Sequence, residues 1–83
     1  MYKTLDDKII YENNKKEIMG EACFKRVSDT IDVYHIFVNE RYRGRGIASE
    51  FMNILVNYCK ENNLKLICTC PYAKAWMEKN GGE

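Results

Sequence analysis

The stretch TIDVYHIFVNERYRGRGIASEFM, Thr30 to Met52, changes its period in the middle, and that change decides the fold. From Thr30 to Val38 β-branched and aromatic residues fall on both faces, the pattern of a strand central in its sheet. NERYRGRG is polar, basic and glycine-containing. From Ile47 the apolar residues recur at helical spacing, with Ile47, Phe51, Ile54, Leu55 and Tyr58 on one stripe and Glu50, Asn53, Asn57 and Glu61 opposite. The spacing predicts a helix over 46–62, closed at ENN, residues 61–63, because asparagine tolerates left-handed terminal angles.

Working outward, LKLIC predicts a short strand over 64–68, and PYAKAWMEKN a last helix starting at Pro71, with GGE as a tail. Trp76 and Met77 are expected to pack that helix onto the core. Strand, helix and strand form one βαβ unit, whose two strands should be parallel neighbours. Upstream, KIIYEN is a strand closed by a turn at Asn13 and Asn14. Glu17 to Val27 alternates Ile18, Ala22 and Phe24 against Glu21 and Lys25, and Ser28 and Asp29 make the next turn. These early strands should be antiparallel. The expected fold is α/β: a compact mixed sheet of antiparallel N-terminal strands, then a parallel βαβ unit and a C-terminal helix.

No repeat or linker interrupts the 83 residues, so 1–83 reads as one domain. A chain this short buries only about 60 to 65% of its unfolded surface, so a ligand or a second copy would add stability; monomer and homodimer both stay open. Thirteen Lys and Arg against twelve Asp and Glu argue against a general nucleic-acid binder. Neither a membrane-length apolar run nor a secretory layout is present, which points to the cytoplasm and to Cys23, Cys59, Cys68 and Cys70 as thiols.

RGRGIA, Arg43 to Ala48, lies between a strand end and a helix start, where free backbone N–H groups can hold a phosphate. Gly44 and Gly46 permit close approach, and Arg41, Arg43 and Arg45 add charge. A plain capping turn with solvated arginines is the competing reading. The stretch lacks the GKS or GKT ending of a nucleotide P-loop and the third glycine of a dinucleotide fingerprint.

HIFVNERYRGRGIASEFM, followed by NNLKLICTCPYAKAWMEKN, resembles the GNAT superfamily of acyl-CoA-dependent N-acetyltransferases, specifically its shortest members. The resemblance covers roughly residues 5–80, and the superfamily signature is met by Arg43, Gly44, Arg45, Gly46, Ile47 and Ala48. It implies that the amides of these six residues hold the pyrophosphate of coenzyme A. It also implies that Phe37, Val38 and Asn39 lie along the pantetheine and acetyl group. Asn39 stands where short relatives often have proline, and the helices with which larger members build an acceptor pocket are missing.

His35, the single histidine, reads either as a sheet histidine with one satisfied hydrogen bond or as a general base near the carboxyl end of its strand. Cys70 falls at the N-cap before Pro71, where the helix dipole stabilises a thiolate, and is expected to share one site with His35. Short GNAT members, to which the chain is similar, carry a histidine and a cysteine at these positions as active-site candidates. Cys70 is then a nucleophile that forms an acetyl-enzyme or a proton carrier in direct transfer. Cys68 reads as core, and Tyr72 as structural or as an aromatic at the mouth of the site.

A metal clip in CTCPY is short of ligands, and a redox pair lacks CxxC spacing. The expected activity is acetyl-CoA-dependent transfer to an amine, either a small molecule or a protein lysine, without nucleic acid, membrane or metal. The alternative is a non-catalytic acyl-CoA-binding or dimeric interaction module on the same core.

Overall fold

The computed structural model describes residues 1–80, so the GGE tail lies outside the described residues. In chain order the elements are β1 (Tyr2–Thr4), β2 (Lys8–Glu12), β3 (Ile18–Val27), β4 (Thr30–Val38), α1 (Ile47–Glu61), β5 (Lys65–Cys68) and α2 (Pro71–Lys79), with a 3-10 turn at Glu40–Tyr42. One five-stranded sheet runs β1-β2-β3-β4-β5. The first three pairings are antiparallel and β4 with β5 is parallel, the mixed sheet the sequence predicts.

β1 is an addition to that expectation. Its three residues pair with β2, Tyr2 opposite Tyr11 and Thr4 opposite Ile9, and a segment this short has no alternation from which to read it. Its use is to bring Tyr2 edge-on to Phe51, ring centroids 5.7 Å apart at 90°. Tyr2 also meets Tyr11 at 4.8 Å, and Tyr11 meets Tyr42 at 6.2 Å. An aromatic row therefore runs from the core of α1 to the turn after β4.

Both helices pack on the same face of the sheet. The core they close contains Ile9, Ala22, Phe24, Ile31 and Val33 from the strands and Ile47, Phe51, Met52, Leu55 and Cys59 from α1. The buried row is thus 47-51-55-59 with Met52 beside it. Tyr58, expected on the stripe, is 38% exposed, and Ile54 is only partly buried. The cause is α2, which takes one side of α1 and draws its buried face toward Met52 and Cys59. Trp76 Nε1 donates to Ser49 Oγ at 2.9 Å, tying α2 to the first turn of α1. At Gly20, which is buried, an added Cβ would lie 3.0 Å from the Phe37 carbonyl oxygen and 3.4 Å from the Phe51 ring, so only glycine lets that ring sit on the sheet.

β4 contains the feature that positions the site. Cys23 pairs with His35 but Phe24 pairs with Val33, which leaves Tyr34 as an extra, bulged residue. The bulge resets the alternation. Ile31 and Val33 before it, and Ile36 and Val38 after it, all pack with the helix-side core, Val33 opposite Phe24 and Ile36 opposite Ala22. Asp32, His35 and Phe37 take the other face. The strand is central, as predicted, but its apparent apolarity on both faces is one phase shift rather than burial on both sides.

Candidate functional site

Beyond the bulge β4 loses one neighbour. β5 pairs with Thr30 to Val33 only, and the chain then leaves the sheet, with Thr69 N–H and Cys70 N–H both donating to the Val33 carbonyl at 2.9 and 3.1 Å. Tyr34 to Val38 keep β3 on one edge and, among the described residues, have no strand on the other. Asn39 N–H donates to Met19 O at 2.6 Å, so odd residues here point toward β3 and the even residues, Ile36 and Val38, point their backbone groups to the free edge. Arg43 Nε donates to the Val38 carbonyl at 3.2 Å, consistent with that parity.

The connection from β4 to α1 is shaped by its own side chains. Arg41 N–H donates to Asn39 Oδ1 at 2.9 Å and Tyr42 N–H to Asn39 O at 2.8 Å, so Asn39 caps the 3-10 turn in the place where proline was noted in short relatives. Gly44 and Gly46 then take φ of 82° and 80°, left-handed angles that other residues adopt only at a cost. Gly46 is the N-cap of α1 and no side chain caps it. The first helical bond is Glu50 N–H to Gly46 O at 2.9 Å, which leaves the N–H groups of Ile47, Ala48 and Ser49 without helical partners.

A groove of about 420 Å³ joins these features. Its strand wall is Ile36, Phe37 and Val38, its floor runs through Tyr42, Arg43, Gly44 and Gly46 to Ile47, Ala48 and Ser49, and Tyr72 of α2 stands opposite. Partial burial pushes the Tyr72 hydroxyl above its ordinary range. Of the residues named from the sequence, Phe37, Val38, Arg43, Gly44, Gly46, Ile47, Ala48 and Tyr72 come together here.

Asn39 and Arg45 lie outside the groove. Asn39 lines a neighbouring polar cavity with Asn13, Glu17 and Arg41, and the Arg45 guanidinium sits 4.7 Å over the Tyr42 ring. Ile36, Tyr42 and Ser49 line the groove and went unread. Ile36 needed the bulge to be known, whereas Ser49, third in the helix, was legible from the position of Gly46.

His35 and Cys70 do not share one face. His35 is exposed and lies on the face away from the helices, opposite Cys23. Cys70 caps α2 through its backbone, its thiol makes no cap hydrogen bond, and the side chain is 6% exposed within the helix-side core. Burial pushes the Cys68 and Cys59 thiols up, with the Asp32 carboxylate adding to the effect at Cys68. The arrangement offers backbone donors and an apolar wall on the helix side of β4, and an imidazole on its other side.

A family model described as GCN5-related N-acetyl-transferase matches residues 8–82. The protein NATD1 of Gallus gallus is 34% identical over 82% of this chain and 59% of its own length, and that of Mus musculus has the same figures. The chain therefore spans little more than half the length of these curated relatives. The solution structure of a GCN5-like protein from Staphylococcus aureus superimposes with a TM-score of 0.80 at 25% identity, over 99% of this chain and 81% of that one. The ribosomal-protein-S18-alanine N-acetyltransferase of Escherichia coli shares the fold, with a TM-score of 0.74 at 19% identity over 96% of this chain and 52% of its own. With its glycine turn between a central strand and a helix, the chain belongs to the GCN5-related N-acetyltransferase family.

Proposed function

We propose that the chain transfers an acetyl group from acetyl-CoA to an amine. The observation that supports this most is the single groove that joins an unpaired strand edge to an uncapped helix N-terminus across two left-handed glycines. The turn fits a diphosphate: a Cβ added at Gly44 or Gly46 would meet no protein atom within 4 Å, so the space above the backbone is open.

The free N–H groups of Ile47, Ala48 and Ser49 supply the donors and the positive end of the helix dipole, and Arg43 supplies charge. Arg45 joins them on leaving Tyr42. The backbone of Ile36 and Val38 offers the amides of a pantetheine arm an edge to pair with, as a strand would. The Val38 N–H is the donor available to a carbonyl oxygen that gains negative charge during acyl transfer. The coenzyme, when bound, supplies the activated acyl thioester.

The amine approaches from the other side of the parted strands, where His35 is exposed and acts as the base that takes its proton. Direct transfer is the route favoured by the burial of Cys70, since a nucleophile inside the core cannot reach a thioester. Cys70 then serves through its backbone, which holds the parting open at Val33. The rest of the reading is one domain over 1–83, monomer or homodimer, in the cytoplasm. No helix of the described residues is long and apolar enough to cross a membrane.

The test is calorimetric titration with acetyl-CoA, followed by chromatographic detection of free coenzyme A across a panel of amines. Binding with amine-dependent release supports the transferase. Binding without release from any amine favours a coenzyme-binding module, and absence of binding removes both.

A further inference from the structure

α2 reaches the first turn of α1 through a side-chain hydrogen bond, the indole Nε1–H of Trp76 donating to Ser49 Oγ at 2.9 Å. Trp76 is the chain's single tryptophan and lies one turn after Tyr72, so the two share a face of α2. Tyr72 lines the groove and Trp76 does not. The indole therefore meets Ser49 from behind, while Ser49 itself lines the groove beside Gly46, Ile47 and Ala48.

A hydroxyl carries one proton and two lone pairs. Among the described residues Ser49 Oγ makes this one hydrogen bond, in which it accepts, so its own proton is left without an acceptor. A serine inside a helix commonly returns that proton to a carbonyl three or four residues back, which here means Gly46 or Arg45. Among the described residues neither bond forms, and the Gly46 carbonyl takes Glu50 N–H at 2.9 Å. With one lone pair held by the indole, the O–H cannot turn toward α2, and the outlet that remains is the groove. An interhelical tie alone would be served as well by a backbone carbonyl, which has no proton to offer. A serine turns the tie into a relay, because a hydroxyl that accepts on one side donates better on the other. A donor facing a groove beside free backbone amides suits an oxyanion, and a bond from O–H to O⁻ is about twice as strong as a neutral one.

We propose, building on the coenzyme reading above, that Ser49 Oγ donates to the diphosphate of bound coenzyme A and that Trp76 is the positioning residue that aims it. Ser49 touches the ligand. Trp76 acts through Ser49 alone and contributes to coenzyme affinity from outside the groove.

The test titrates acetyl-CoA into the parent, Ser49→Ala, Trp76→Phe and the double variant, with affinity read by calorimetry and the fold by thermal melting. Trp76→Phe keeps an aromatic ring on α2 and removes the N–H. Ser49→Ala is expected to weaken binding about tenfold, Trp76→Phe about fivefold, and the double variant no more than Ser49→Ala, because both act on one bond. A residue that only packs the helices would lower the melting temperature and leave the affinity of the folded protein as it was. The single indole N–H resonance of ¹⁵N-labelled protein gives a second readout, which decides even where Trp76→Phe does not fold. It is expected to move downfield as acetyl-CoA saturates the parent and to stay in place in Ser49→Ala. Parent affinity in either single variant, losses that multiply in the double variant, or an indole resonance that responds alike with and without the Ser49 hydroxyl overturns the inference and leaves the coenzyme site standing. No affinity of the parent for acetyl-CoA overturns both.

Discussion

The two halves of β4 are one strand in two kinds of surroundings. Thr30–Val33 has a strand on each edge, and its inward residues Ile31 and Val33 are 1 and 0% exposed. Tyr34–Val38 keeps β3 alone and borders the groove on one face and open solvent on the other. The division between them is the bulge at Tyr34 and the Val33 carbonyl that takes both N–H groups of the departing chain. A domain this small has little burial to spare, so it confines stability to one half of the strand and leaves hydrogen-bonding groups free in the other.

The comparison breaks most readily in the paired half. Ile31→Ala removes a fully buried side chain and is expected to cost about 2 to 5 kcal/mol in urea unfolding, with acetyl-CoA affinity of the folded fraction unchanged. In the free half the balance reverses. His35→Ala is expected to change stability by less than about 0.5 kcal/mol and to slow acetyl transfer about a hundredfold, read as kcat at saturating coenzyme.

Gly46→Val tests the turn that the free half leads into. It adds a Cβ where φ is 80° and the groove is open, and is expected to weaken acetyl-CoA binding about tenfold while costing roughly 1 to 2 kcal/mol of stability. Calorimetry and thermal melting separate the two effects.

The smallest effect concerns pH. Burial raises the Cys59 and Cys68 thiols in the folded state, so the unfolded chain loses those protons first. Their contribution to stability is complete below the unfolded thiol range, near about 8.5, and is lost as pH rises through the folded values. A melting temperature that declines above pH 8.5, and declines less in Cys68→Ser, is the expected outcome.

Much of this division was legible in the sequence and some was not, for separate reasons. The change from strand spacing to helical spacing around Gly44 and Gly46 located the turn and one wall of the groove. Period alone could not show that Tyr34 is an extra residue, since a bulge is recorded in the partner strand and not in the strand itself. Hence Ile36 went unread, and His35 and Cys70 were expected together although the sheet lies between them. β1 and the buried position of Cys59 depend on tertiary packing, against β2 and against α2. Gly20 is required by the Phe51 ring packed against it, a tertiary contact that the alternation of β3 does not record.

On the function proposed, the free half of β4 and the glycine turn form one acetyl-CoA site. Amide resonances of ¹⁵N-labelled protein, followed during titration with acetyl-CoA, test it residue by residue. Saturable shifts are expected at Ile36, Val38, Gly44, Gly46, Ile47 and Ala48, with Ile31 and Val33 nearly still. Shifts confined to the paired half, or none at the glycine turn at saturating coenzyme, would contradict it.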